Sequence, residues 1–175
     1  MQRRVYVIPA GVLTNTAGQA KAVVILNRKD HLLPASWSEG IDTLLCFGGG
    51  VESDDDGDVK ALNREMLEET GDWFEGAQYP GTNKMVFGQK TEDQSGFLKL
   101  KTSDNDFGFY TALVDVGPHS KSQLLKNCKE GIPCFITLDV FEKYKNLREV
   151  WAGPHVRNAV GEVFSIIKAW NPEIK

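Results

Sequence analysis

The chain has 175 residues, 41% of them hydrophobic and 25% charged, with a net charge of −4; this suits a folded domain with its own core. The acidic balance weighs against general nucleic-acid binding and against a basic membrane-surface role. It leaves phosphate substrates open, because a bound divalent cation reverses the local field.

The N-terminal stretch MQRRVYVIPAGVL carries two arginines, but its apolar part is short and leads into a strand pattern rather than a targeting segment. Strands are predicted over 5–13 and 21–28, joined by the polar turn TNTAGQ. The second is apolar without alternation, which places it centrally in a sheet. The loop KDHLLPASWSEG then leads to a short strand, TLLCF, and the turn GGG. A helix starts near Asp58, an N-cap candidate after Gly57, and stops at Gly71. Its apolar stripe is Val59, Leu62 and Met66.

After MVFGQK, the strands FLKLK (97–101) and DFGFYTALVDV (106–116) are expected to form a hairpin through TSDND. A short helix, KSQLLKNC, precedes the loop KEGIP, the strand CFITL and the helical stretch DVFEKYKNL. The last helix covers roughly 155–170, with Val156, Val160, Val163, Phe164 and Ile167 at helical spacing. Strand runs mixed with helices, without repeats or a dividing linker, predict one α+β layered domain over 1–175. No run reaches the ~18 apolar residues of a membrane span. Cys46, Cys128 and Cys134 are odd in number and lack a CxxC, which fits a reducing, cytoplasmic setting with neither a zinc site nor a disulfide framework. Cys46, inside LLCF, is expected in the core.

The stretch NREMLEETG, 63–71, carries the chemistry. Glu65, Glu68 and Glu69 stand at i, i+3 and i+4, so they share one face of the helix. Like charges at these separations repel by roughly 0.2–0.5 kcal/mol per pair. They also crowd the helix C-terminus, where the dipole favours cations. The arrangement costs stability unless something positive binds there.

Read outward, GGGVESDDDGDVKALNREMLEETG resembles the Nudix box, G-x5-E-x7-R-E-U-x-E-E-x-G-U with U apolar. Arg64, Glu65, Met66, Glu68, Glu69 and Gly71 match its second half. The first half departs. Strict counting back from Arg64 reaches Asp56 and Gly50, whereas Gly48, Gly49 and Glu52 match the usual opening if the loop holds one extra residue. The loop acid is then Asp55 or Asp56. Phe47 stands where a proline commonly precedes the glycines, and Asp72 stands at the closing apolar position. Further on, KEGIPCFITL resembles a loop-and-strand segment of MutT-like members in which a loop glutamate completes the acidic cluster; it maps to Glu130.

The resemblance implies a Nudix-type α/β/α sandwich with a mixed β-sheet, acting on a nucleotide through Mg²⁺ or Mn²⁺. Glu68 and Glu69 would be the main metal ligands, assisted by Glu65 and the carbonyl of Gly48 or Gly49. Arg64 would hold a neighbouring carboxylate, and Glu69 or Glu130 would be the general base. The reaction implied is cleavage of a nucleoside diphosphate linked to another group, with KEGIP leaning toward a nucleoside triphosphate. The alternative is a Nudix-type fold that binds a nucleotide without turning it over. The expected partner is a small-molecule nucleotide, with no membrane and with room for a homodimer. His119 is expected in a loop and His155 at the surface. Trp37 and Tyr79 are aromatic candidates for stacking a base, weighed against simple packing.

Overall fold

Strand β1 (Arg4–Thr14) and strand β2 (Ala20–Arg28) form the hairpin expected around TNTAGQ. In the computed structural model, which describes residues 2–28 and 44–175, Asn15 shapes that turn. Its Oδ1 accepts the backbone N–H groups of Ala17 and Gln19, each at 3.0 Å. The loop KDHLLPASWSEG with Trp37, and Thr43 of the expected strand TLLCF, lie outside the described residues.

The hairpin strands pair with each other only near the turn, from Ala10↔Val24 to Thr14↔Ala20. Farther out they part, and one stretch takes up both vacated edges. Strand β3 (Leu44–Leu45) pairs with Asn27 and Arg28 of β2, and strand β4 (Phe47–Gly50) pairs with Arg4–Val7 of β1. Two short strands, β5 (Met85–Val86) and β6 (Gln89–Lys90), make a separate hairpin. Strand β8 (Phe107–Leu113) runs parallel to β1, and β7 (Leu98–Lys99) pairs antiparallel with β8, the hairpin expected through TSDND. Strand β9 (Ile132–Thr137) pairs with β2, which is therefore central.

Among the described residues five α-helices flank the sheet: α1 (Asp58–Thr70), α2 (Trp73–Ala77), α3 (Pro118–Asn127), α4 (Leu138–Tyr144) and α5 (Pro154–Trp170). Side chains alternate across each strand, so β1 and β2 feed two cores. Val5, Val7, Val23, Ile25 and Phe47 meet Leu62 and Met66 of α1, Trp73 of α2 and Leu124 of α3. Ile8, Ala10, Val24 and Leu26 meet Val156, Val160, Val163, Phe164 and Ile167 of α5. The architecture is the expected α+β sandwich with a mixed sheet between helical layers, and Cys46 is fully buried in it.

Several boundaries differ from expectation. Helix α3 starts at Pro118, so His119 lies in its first turn and not in a loop. Ile132 and Pro133 belong to β9 through their pairing with Arg28 and Asn27, and Leu138 begins α4. The five-residue α2 is too short to show a period; it is held by Trp73, whose indole N–H reaches the carbonyl and hydroxyl of Ser120 at 3.0 Å.

Asp58 does not cap α1; Gly57 occupies that place, with φ 88°. The Asp58 carboxylate is taken instead by Arg3, which donates from Nε at 2.8 Å and Nη2 at 2.7 Å, and by the Tyr110 hydroxyl at 2.6 Å. Arg3 also donates to the carbonyls of Asp104 and Asn105. One clamp thus ties the chain start, the first turn of α1 and the β7–β8 connection. Arg3, and then Tyr110, hold the Asp58 carboxyl below the usual carboxylate range.

Because the unfolded chain takes up this proton first, the clamp's contribution is complete above about pH 5 and is lost as pH falls through the folded-state pKa. Asp58→Asn should cost about 1.5–3 kcal/mol at neutral pH. Its gap in melting temperature from wild type should narrow on acidification below about pH 4. A gap that stays constant into strong acid would mean that the charge contributes nothing.

Candidate active site

Helix α1 approaches β4 closely because β4 is nearly bare of side chains. A Cβ on Gly49 would lie 2.5 Å from Glu65 Oε1, and one on Gly48, whose φ is 139°, would lie 2.0 Å from the Val5 carbonyl oxygen. The backbone of β4 also receives the helix. Gly48 donates its N–H to Glu69 Oε2 at 2.8 Å, and the Gly50 carbonyl accepts Arg64 Nη2 at 2.9 Å. Val51 N–H donates to the Arg3 carbonyl at 2.8 Å. The alternation of an antiparallel ladder then assigns Gly49 to hydrogen bonding with β1, and turns the polar groups of Gly48 and Gly50 away from it.

The three glutamates share a helix end but differ in exposure. Glu69 is only 3% exposed and packs on Gly48, so the expected separation of an apolar face from a carboxylate face fails at this residue. Its charge, added to the larger effect of burial, pushes the Cys46 thiol pKa up. The Glu65 side chain is 13% exposed and accepts Arg64 Nη1 at 3.0 Å. The Glu68 side chain is 57% exposed, 3.4 Å from the same nitrogen.

Arg64 is the hub. Its Nε and Nη2 donate to the two oxygens of Asp55 at 3.2 and 2.8 Å, the two-point fork that suits a guanidinium. Glu52, Asp55, Glu65 and Glu68 all lie within 3.7 Å of this one cation. Arg64, followed by the Glu52 N–H, holds the Asp55 carboxyl below the usual range. Of the two loop acids, Asp55 reaches Arg64, with its side chain 4% exposed, while Asp56 is exposed. Four carboxylates facing one guanidinium leave the site strongly negative, an environment for a cation.

Among the described residues, no group of three or more His, Cys, Asp or Glu side chains is gathered as a ready metal cage. Arg64 draws Glu65 and Glu68, and Gly48 draws Glu69. The donors nevertheless fit a hard divalent ion, since all are oxygens, and the bare backbone at Gly49 is what lets the Glu65 carboxylate lie against β4.

Glu130 is exposed in the loop between α3 and β9, without a hydrogen bond or ion pair among the described residues. That loop starts beside the end of α1, because Asn127 Nδ2 donates to the Thr70 carbonyl at 3.3 Å and to Asp72 Oδ1 at 3.1 Å. His155 is exposed on the first turn of α5 and stacks on Phe107 and Phe109, with centroids 5.8 and 6.3 Å apart. Tyr79 lies exposed after α2. Sequence reading gave no role to Arg3 or Tyr110, which belong to no local motif; only their contact with Asp58 reveals them.

No protein-family model matches the chain, and no curated protein matches it in sequence. Among solved structures it is similar to a mutT/nudix family protein from Listeria innocua, at 13% identity and a TM-score of 0.55, covering 96% of this chain and 94% of that one. A possible asymmetric diadenosine tetraphosphate hydrolase from Jonesia denitrificans is 14% identical over 100% of this chain and 98% of that one, at a TM-score of 0.40. The sandwich of the described residues has the fold of the Listeria innocua mutT/nudix family protein.

Proposed function

We propose that this chain is a Nudix-type hydrolase that uses Mg²⁺ or Mn²⁺ to split the pyrophosphate bond of a nucleoside diphosphate carrying a further group. A nucleoside triphosphate or a nucleotide-sugar would be such a substrate, giving a nucleoside monophosphate and a phosphorylated remainder. The supporting observation is the concentration of Glu52, Asp55, Glu65 and Glu68 on Arg64, beside Glu69 on Gly48. Stability alone would not collect so many carboxylates in one cluster, three of them in the last turns of a helix, where the dipole is negative.

Glu65, Glu68 and Glu69 would hold the metal. Gly48 is the better source of a carbonyl ligand than Gly49, since ladder alternation commits Gly49 to β1. When bound, the cation neutralises phosphate charge and makes a water more acidic. Arg64 keeps Glu65 and the Asp55 loop in register through its fork. The Gly48 N–H fixes one oxygen of Glu69. The attacking water gives its proton to Glu69, already in the cluster, or to Glu130, whose loop would have to approach. The chain would act as one domain, in the cytoplasm, on a small nucleotide, as a monomer or homodimer. No helix among the described residues is long and apolar enough to cross a membrane.

A panel of nucleotide derivatives incubated with Mg²⁺ or Mn²⁺, with products separated by chromatography, tests the reading. Absence of any product would leave only the nucleotide-binding alternative. Titration with Mn²⁺ should show binding weakened about tenfold or more in Glu69→Gln, because affinity follows ligand charge; equal affinities would remove Glu69 from the ligand set.

Arg64→Lys keeps the charge but loses the fork, so turnover should fall while the fold survives at a somewhat lower melting temperature; unchanged turnover would make Arg64 a surface partner. For Glu130→Gln, a rate loss of about 10²–10⁴-fold with normal melting is the expectation for a general base. A variant as fast as wild type would assign that task to Glu69.

A further inference from the structure

The Asn27 side chain is fully buried, yet among the described residues neither its Nδ2 nor its Oδ1 has a hydrogen-bond partner. A buried amide in this condition is costly, and such groups in native proteins call for a partner. Asn27 ends the row of β2 residues that begins with Val23 and Ile25, on the sheet face covered by α1. Across from it stand Leu45 of β3 and Pro133 of β9. Leu45 lies three residues before Gly48, which holds Glu69, so the chain from Asn27's cross-strand neighbour to the carboxylate cluster spans at most about 10 Å. A nucleotide spans such a distance from its phosphates to its base. Gly131, with φ 142°, presses on the amide: a Cβ there would lie 2.5 Å from Asn27 Oδ1. The loop carrying Glu130 therefore closes directly over Asn27.

We propose that Asn27 is a specificity-determining residue whose amide pairs with the edge of the substrate's nucleobase, an inference that rests on reading the chain as a nucleotide-binding protein. The choice of ligand follows from the two open atoms. A phosphate oxygen would satisfy Nδ2 and leave Oδ1 without a donor; a cation would do the reverse. An asparagine amide offers one donor and one acceptor in a plane, matching a base edge with an adjacent acceptor and donor. The base reaches the amide by displacing Gly131, so binding moves the loop that carries Glu130.

The test compares wild type with Asn27→Leu on ribonucleoside triphosphates that differ only in base, with ribose 5-triphosphate as the base-free member. Losing one two-point base contact should lower kcat/KM for the preferred base by about 10- to 100-fold. The base-free compound should react equally with both proteins. Melting temperature should stay level or rise, because an apolar side chain replaces two unpaired buried polar atoms. Should Asn27→Leu fail to fold, the unbranched Asn27→Met serves the same comparison.

An unchanged ranking of bases in the variant, at any melting temperature, would overturn the inference. If wild type hydrolyses none of these compounds, equilibrium binding of the same series decides. A base preference that the variant loses keeps the inference while ending the hydrolase reading; no preference in wild type ends the inference.

Discussion

One guanidinium holds the candidate site together. Glu52, Asp55, Glu65 and Glu68 approach Arg64 from the loop before α1 and from α1 itself. Without that charge the carboxylates would repel one another, and Glu68 stands in addition in the last turn of α1, where the helix dipole is negative. Arg64 also reaches the Gly50 carbonyl, so the same side chain that gathers the acids fastens the helix to the sheet. Its two-point bond to Asp55 fixes the loop that leads into the helix. A lysine could not serve all of these acceptors from one rigid plane.

This hub depends on how the sheet is built. The hairpin strands β1 and β2 part beyond Ala10 and Val24, and the stretch containing β3 and β4 pairs with both separated ends. That brings three glycines beneath α1, where any side chain on Gly49 would strike Glu65. The helix is secured at each end by polar contacts: Asp58 to Arg3 and Tyr110 at one, the Thr70 carbonyl to Asn127 at the other. Leu62 and Met66 anchor its middle in the core. A helix held at three places can carry a charge arrangement that an isolated helix would resist.

Features that depend on neighbours in the chain were legible. The 3.6-residue period of α5 appears in Val156, Val160, Val163, Phe164 and Ile167, all buried as expected. Gly71 ends α1 with φ 59°, and Asn15 turns the first hairpin. The short α2 and the exact start of α3 were not legible, since five residues give no period and a Pro-His-Ser run suits a loop or a first helical turn equally well. Ile132 and Pro133 belong to a strand only because β2 is there to pair with them.

By itself, the sequence determined the α+β class, the central place of β2 and the gathering of Arg64, Glu65, Glu68 and Glu69 at one helix end, because helical spacing and strand polarity are properties of adjacent residues. Only the tertiary structure chose Asp55 over Asp56 as the partner of Arg64, buried Glu69 while exposing Glu68, and assigned Asp58 to a clamp instead of a cap. Each of those outcomes turns on which distant group lies within about 3 Å of a carboxylate. No pattern along the chain encodes that, because Arg3, Gly48 and Tyr110 reach α1 only after the sheet has formed.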